Sequence, residues 1–599
     1  MVLTNDYDIR GLRIGLEAAV DGAADFANAY GYDDRGFLTS LTQTGTAAGV
    51  SDKHVTFAYD DQRRLTSLSR FADAAGTLRV SDTNYVFDDE SQLTSLTHTD
   101  HTGSATLHGY TFTYDDRGRL TGMTSPDGTV DYDYDYAGQL TAADHSTLTD
   151  ESYAYDDTGN RTTVTNDDGS ASYTTTANNR LQSDGTYSYL YDAEGNRTRK
   201  TTIATGDYVE YAWDHRNRMT SATFYDSLGV ATKAVTYTYD AFDRRIGKSV
   251  DDNGDATTDR EYRYVYDSGP AKGGLDDVVL TFDGAGNVLT RHLHGPGLDN
   301  ILAVEDVATG AVQWALTDHL GSVRGWAEYD GLIDTTTITA TATFDSYGIL
   351  LSTTGSTPDV GFAYGYTGQE WDADIGLSYY YARWYDPTVG RFISEDPIGF
   401  AGGDVDTQRY IGNSVVTGRD PSGLQSINPF NEHQIDEWNR RRHAKKNRDF
   451  EKSLDRLRGE LNKACSKCAP CETGPSECEG QVDDIINAIR NANRDLVNAT
   501  GGPRFVGPGN CEDCQATLGQ HIRNATGGPF TWENAQSDGG GLIGNDHNWV
   551  VISIPGCDGS TFWLDLWQGG PPLSSSDNFW GYGEEPPRWF GGGNWPRTG

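Results

Sequence analysis

The sequence predicts a mainly β protein: a long array of short hairpins, followed by a small α+β domain at the C-terminal end. Three observations carry this. Gly, Thr, Asp and Tyr dominate the first two thirds, the composition of many short strands and tight turns. Self-similar units recur through the same stretch, most beginning roughly 20 to 28 residues apart. All seven cysteines (Cys465, Cys468, Cys471, Cys478, Cys511, Cys514 and Cys557) lie in the last third, which points to two folding units of different kinds.

The repeating unit reads GYDDRGFLTSLT from Gly31, FAYDDQRRLTSLS from Phe57, YVFDDESQLTSLT from Tyr85 and FTYDDRGRLTGMT from Phe112. It continues from Tyr132, Tyr153, Tyr187, Tyr211 and Tyr237. Tyr-x-Tyr alternation puts two aromatic rings on one face of a strand. The Asp that follows caps backbone N–H groups of a turn, and Gly supplies the positive φ. Leu-Thr-Ser-Leu-Thr then opens the returning strand. A lone hairpin is marginal in water, so the units must stack into a continuous sheet. Each Tyr-Asp pair is therefore read as structural, with no catalytic residue among the repeats.

Charge and hydropathy narrow the function. Asp and Glu number 88 against 47 Lys and Arg, a net charge of −41, which repels nucleic-acid backbones and anionic lipid. From Gln425 onward the counts are 23 acidic and 17 basic, so only −6 of the total belongs there. With 34 Tyr, 13 Trp and 20 Phe the chain is too aromatic for disorder. No segment reaches the ~18 apolar residues of a membrane span. The first residues lack a basic stretch followed by an apolar one, so export is expected to use no cleavable signal peptide, unless the start is a fragment's.

The repeats resemble the YD repeats of RHS proteins, of insecticidal toxin-complex shells and of teneurins, over roughly residues 30 to 424. That resemblance implies a β-ribbon spiral wound into a shell over 1–317. Residues 318–424 are similar to the RHS-associated core: DHLGSVRGWAEYD from Asp318, YYYARWYDP from Tyr379, and paired Asp-Pro-x-Gly motifs at DPIG and DPSGL. The family's core is an aspartyl autoprotease that cuts just after the second motif. Carried over, the pair is Asp396 and Asp420, and the scissile bond is Leu424–Gln425. Two carboxylates sharing a proton suit that chemistry. An isolated Asp-Pro-x-Gly would be merely a turn; two copies at a composition shift argue for more. The motifs stand 24 residues apart, slightly wider than usual, and Asp-Thr-Gln-Arg-Tyr and Asn-Ser-Val-Val replace the family's usual intervening steps.

By the same resemblance, residues 425–599 are cargo. A polar helical stretch with apolar positions Ile435, Trp438, Phe450, Leu454, Leu457 and Leu461 opens it. Cys465, Cys468, Cys471 and Cys478 follow in a loop, as a structural zinc site or as two disulfides; no other cofactor is expected. Chemistry is expected in segment 505–570. Cys514 at the start of a helix would have its thiol acidified by the helix dipole. His547 enters one strand and Asp565 lies in the next, the order of nucleophile, base and orienting acid.

GNCEDCQA is similar to the nucleophile block of papain-like peptidases, which selects Cys514, whereas the transglutaminase-like match on GNCED selects Cys511. The bland alternative is a Cys511–Cys557 disulfide beside ordinary strand residues. The expected function is a secreted or surface-exposed polymorphic toxin carrying a peptidase, deamidase or transglutaminase. Its expected partners are a target-cell protein, an immunity protein and secretion-system components, with no nucleic acid. The competing expectation is a non-enzymatic surface or adhesion protein with a disulfide-stapled tip. A nuclease finds no metal-ligand cluster to support it.

Overall fold

The structure is a computed structural model. It describes residues 1–424 except 46–48, 168, 177, 241, 268–276, 298 and 358–359, and beyond 424 only the backbone of five strands. The chain divides into two compact units, residues 1–239 with 245–436, and 240–244 with 437–599.

In the first unit the repeats form two large antiparallel sheets. Fifteen described strands from Val2–Tyr7 to Gly169–Ser172 make one, and sixteen from Thr174–Thr175 to Leu350–Thr354 make the other. Strand order follows chain order in both, so each is an uninterrupted meander. The second sheet runs on past the expected boundary at 317, because Val312–Thr317 pairs directly with Val323–Asp330.

One unit shows how the repeat works. At FTYDDRGRLTGMT the Asp115 carboxylate accepts the backbone N–H groups of Arg117 and Arg119, both at 2.9 Å. Gly118 takes φ +76° and donates its N–H to the Asp115 carbonyl. The Arg119 guanidinium bonds the Asp115 carboxylate and reaches on to the Asp135 carbonyl of the next turn, 3.3 Å away. Arg10, Arg35, Arg64 and Arg180 make the same forward step. The tyrosine before the turn works backwards. Tyr114, Tyr134, Tyr155 and Tyr239 donate their hydroxyls to the carbonyls of Leu93, Leu120, Leu140 and Met219, where the preceding unit's return strand begins. A half-buried tyrosine thus packs its ring and satisfies its hydroxyl together.

The sheets face each other. Leu38, Leu41, Val55, Phe57 and Leu68 of the first pack against Leu293, Leu302 and Trp314 of the second. Buried charges cross the same seam. Arg13 meets Asp267 at 2.6 Å, Arg291 meets Asp25 at 2.7 Å, and Lys53 bonds Glu305 with both side chains fully buried. Further along, a small sheet of five short strands between Ala363 and Phe392 is wedged between the large ones. Tyr380, Tyr385, Phe392 and Tyr410 pack on the first sheet, while Leu377, Tyr379 and Trp384 pack on the second.

His98 shows what the seam does to a titratable group. Fully buried, it joins Thr83 Oγ1 to the Thr317 carbonyl, each at 2.8 Å, with Arg70 and His108 nearby. Burial, aided by the charge of Arg70, pushes its pKa down to about 3. The folded state therefore favours the neutral ring. That stabilisation is complete above the unfolded pKa near ~6.5 and is lost as pH falls below it, by about 2 kcal/mol at pH ~5. Glu370, which burial pushes up to about 7, acts in the opposite sense over the same range, so the histidine must be read by difference. Between pH 7 and 5, His98→Asn is expected to lose less melting temperature than the parent chain. Equal losses would refute the assignment.

The second unit contributes a five-stranded antiparallel sheet. His547–Ser553 pairs with Thr531–Ser537 on one side and with Thr561–Asp565 on the other. Trp549 lies opposite Asp565, and His547 lies two residues before Trp549. One of these strands begins at His547, and a neighbouring one ends at Asp565. Cys465, Cys468, Cys471, Cys478, Cys511, Cys514, Cys557 and the opening helical stretch lie outside the described residues.

Candidate functional site

Local sequence brings the two Asp-Pro-x-Gly motifs together. Asp396 caps its own turn, accepting the Ile398 N–H at 2.9 Å, and the chain then enters the single 3-10 turn Gly399–Gly402. The backbone returns alongside itself: the Phe392 N–H donates to the Gln408 carbonyl and the Asp396 N–H to the Thr407 carbonyl. Asp420 caps the second motif, accepting the N–H groups of Ser422 at 3.3 Å and Leu424 at 3.0 Å. Gly423 takes φ +67°, and a Cβ there would stand 2.6 Å from the Tyr380 carbonyl. Only glycine fits the loop that leads into the expected scissile bond.

Arg383, which the sequence alone did not single out, joins these loops. Its Nη2 lies 3.4 Å from Asp396 Oδ2 and 3.2 Å from Asp420 Oδ2. Its Nε donates to the Gly423 carbonyl and its Nη1 to the Thr407 carbonyl at 2.9 Å. The guanidinium stacks 3.6 Å over the Phe392 ring. All three charged side chains are nearly excluded from water, at 4 % exposure for Arg383 and Asp420 and 8 % for Asp396. Burial pushes the Asp396 carboxyl above the usual carboxylate range, although Arg383 and the Ile398 N–H pull the other way. A single guanidinium thus bridges the two carboxylates. The signal that could have found it is the YYYARWYDP block, which carries its one basic residue at the centre.

The pair faces the expected cleavage point. Gly402 and Leu424 line one cleft of about 230 Å³ with Asp396, Asp420 and Arg383. The point where a Gly402 Cβ would stand is 2.7 Å from Asp396 Oδ2 and 3.4 Å from the Leu424 carbonyl oxygen. Since glycine leaves that point empty, the carboxylate and the carbonyl open onto one space. The segments that depart from the family pattern are firmly held. Tyr410 and Val415 are fully buried, and Asn413 donates to the Gln139 side chain at 2.8 Å.

Of the second expected site, His547 and Asp565 are placed on neighbouring strands by backbone register, and both cysteines lie outside the described residues. Among the described residues there is no metal-binding cluster, and no helix is long and apolar enough to cross a membrane.

Two facing sheets of Tyr-Asp hairpins, with a core wedged between them, define a YD-repeat protein of the shell type. A family model described as the Teneurin YD-shell matches residues 103–402, half of the chain, and the chain belongs to that family. It is 27% identical over 253 residues to the probable deoxyribonuclease RhsA of Dickeya dadantii, a match covering 41% of this chain and 16% of that protein. It is 35% identical over 142 residues to salivary gland surface protein 1 of Aedes aegypti, covering 24% and 4%. The crystal structure of TcdB2-TccC3 superposes on 70% of this chain and 24% of its own, with a TM-score of 0.50 at 17% identity, and shows a common fold. The chain spans less than a quarter of the length of each.

Proposed function

We propose that this chain is an RHS-type polymorphic toxin that cuts itself after Leu424 and thereby frees residues 425–599 as an effector. The observation that carries this is the convergence of Asp396 and Asp420 on Arg383, beside the Leu424 carbonyl. Water adds to the Leu424 carbonyl carbon, and its proton passes to the charged member of the pair. The Leu424–Gln425 bond breaks as the protonated member gives its proton to the departing amine, leaving a carboxyl group on Leu424. Asp396, whose carboxyl burial holds more readily protonated, is the donor. Arg383 neutralises the pair and fixes the Gly423 carbonyl; it positions and does not exchange protons. Mass spectrometry of the purified chain tests this: a fragment beginning at Gln425 is expected, and an intact chain throughout would refute it.

For the effector the reading is thiol chemistry on a target-cell protein. Cys514, or alternatively Cys511, is the nucleophile, His547 the base and Asp565 the group that orients it. The register that sets His547 and Asp565 on adjacent strands supports this. Secretion to a competing cell, through secretion-system components and with an immunity protein in the producer, belongs to the same proposal. Expressed alone, residues 425–599 are expected to stop bacterial growth, and Cys514→Ala to relieve the arrest. Unrelieved arrest with intact cellular DNA and RNA moves the nucleophile to Cys511. Degraded nucleic acid would instead replace the thiol reading with a nuclease, the activity named for the Dickeya relative. No effect on growth would favour the adhesive alternative.

A further inference from the structure

The turns of the repeats do more where they meet the core. Gly138, Gly159 and Gly195 hold the same place in three Tyr-Asp turns, with φ of +86°, +83° and +86°. A Cβ at Gly138 would meet nothing within 4 Å. At Gly159 it would run into the Arg409 guanidinium, with Cζ 2.9 Å away, and at Gly195 into the Glu395 carboxylate, with Cδ 2.6 Å away. The backbone conformation is the same in all three; only the neighbour differs.

Both neighbours belong to the loops that carry the cleavage pair. Glu395 immediately precedes Asp396, and Arg180, from the connection between two repeats, holds its carboxylate at 2.8 Å. Arg409 is fixed by Asp404 through two bonds of 2.7 Å and follows Thr407, whose carbonyl accepts both the Asp396 N–H and the Arg383 guanidinium. Gln408 donates to the Gly195 carbonyl at 2.8 Å, and Asn413 to the Gly159 carbonyl at 2.9 Å. The stretch between the two aspartates therefore rests on folded repeat turns at several points. It is rich in glycine and contains only two single 3-10 turns, so little of its own secondary structure fixes it.

We propose that the Gly159 and Gly195 turns are the seat that sets the cleavage pair, so that the chain cuts itself only once these repeats have folded against the core. This rests on the self-cleavage reading and adds to it a folding requirement. Misplacing reacting groups by about 1 Å can cost on the order of 10²-fold in rate, so a turn that no longer accepts its core side chain should be read out as slow cutting.

The test is a time course of Gln425-fragment formation by the full-length chain after refolding, with alanine at each glycine. All three variants share the cost of alanine at positive φ; Gly138→Ala, whose turn touches the core stretch only through the Gln139 side chain, carries that cost without a clash at the glycine itself. Gly159→Ala and Gly195→Ala are expected to cut at least about 10-fold more slowly than Gly138→Ala. Arg409→Ala, which leaves every turn intact, should slow cutting as well, and adding Gly159→Ala to it should change little more. The pH–rate profile of the slow variants should move to higher pH, as Asp396 loses its fixed distance to Arg383; a general loss of stability would not do this. Thermal melting of the same variants in an Asp420→Asn background separates misfolding from misplacement. Equal rates for the three glycine variants, or fully additive losses in the Gly159→Ala, Arg409→Ala pair, would overturn the seat. A parent chain that never yields the fragment would overturn self-cleavage itself.

Discussion

Asp420→Asn is expected to leave the chain whole at Leu424–Gln425, with cutting slowed on the order of 10²–10⁴-fold, the usual worth of a positioned acid or base. Asparagine keeps the shape of the side chain and can still accept the N–H groups of Ser422 and Leu424 through its oxygen. What it loses is the charge that faces Arg383 at 3.2 Å. Asp396→Asn should be as severe, because each carboxyl has its role only while the other holds the complementary protonation state. The double variant should be little worse than either single one, as for groups that act as a unit. A fragment beginning at Gln425 from Asp420→Asn, at the parent's rate, would remove Asp420 from the chemistry.

Glu305→Ala is expected to be the most damaging single change to the sheets. Glu305 is fully buried, where it bonds Lys53, itself fully buried, and meets Arg291 at 3.0 Å; it also accepts the Ser51 N–H at 3.1 Å. Arg291 keeps Asp25 when Glu305 is removed, but Lys53 is left with only the Gln43 side chain and the Ser51 carbonyl. An ammonium buried without a counter-charge destabilises by roughly 3–5 kcal/mol. Denaturant unfolding followed by tryptophan fluorescence should show a large fall in midpoint, since Trp314 sits in the same seam. Replacing both partners, Glu305→Ala with Lys53→Met, should recover much of the loss, because an apolar pair leaves no orphan charge. A double variant as weak as the single one would show that Glu305 matters for its shape and not for its charge.

The hairpin array, its turn chemistry and the place of the cleavage motifs were legible in the chain because each is a local pattern. Tyr-x-Tyr has the period of a strand, Asp with Gly four or fewer residues on has the chemistry of one turn, and repetition fixes the pairing of neighbours. Asp396 and Asp420 were found in the same way, as two copies of a short motif. Their convergence was not legible, because it depends on Arg383 and Gly402, residues without a pattern of their own. Arg383 gains its meaning only when the Trp384 strand is wedged between two sheets and its guanidinium faces both aspartates. Gly402 matters for a side chain it lacks.

The seam was hidden for a related reason. Lys53, Glu305, Arg13 and Asp267 are charged residues in strands, and residue type alone cannot say whether a strand face meets water or another sheet. By itself, the sequence determined the local rule of this protein, a turn-stitched hairpin repeated in register and ending in two capped aspartates. Only the tertiary structure decided which turns face the core, which charges are buried as pairs, and that one arginine holds both carboxylates. Local hydrogen bonds are written within a few residues, whereas these contacts join positions up to 274 residues apart.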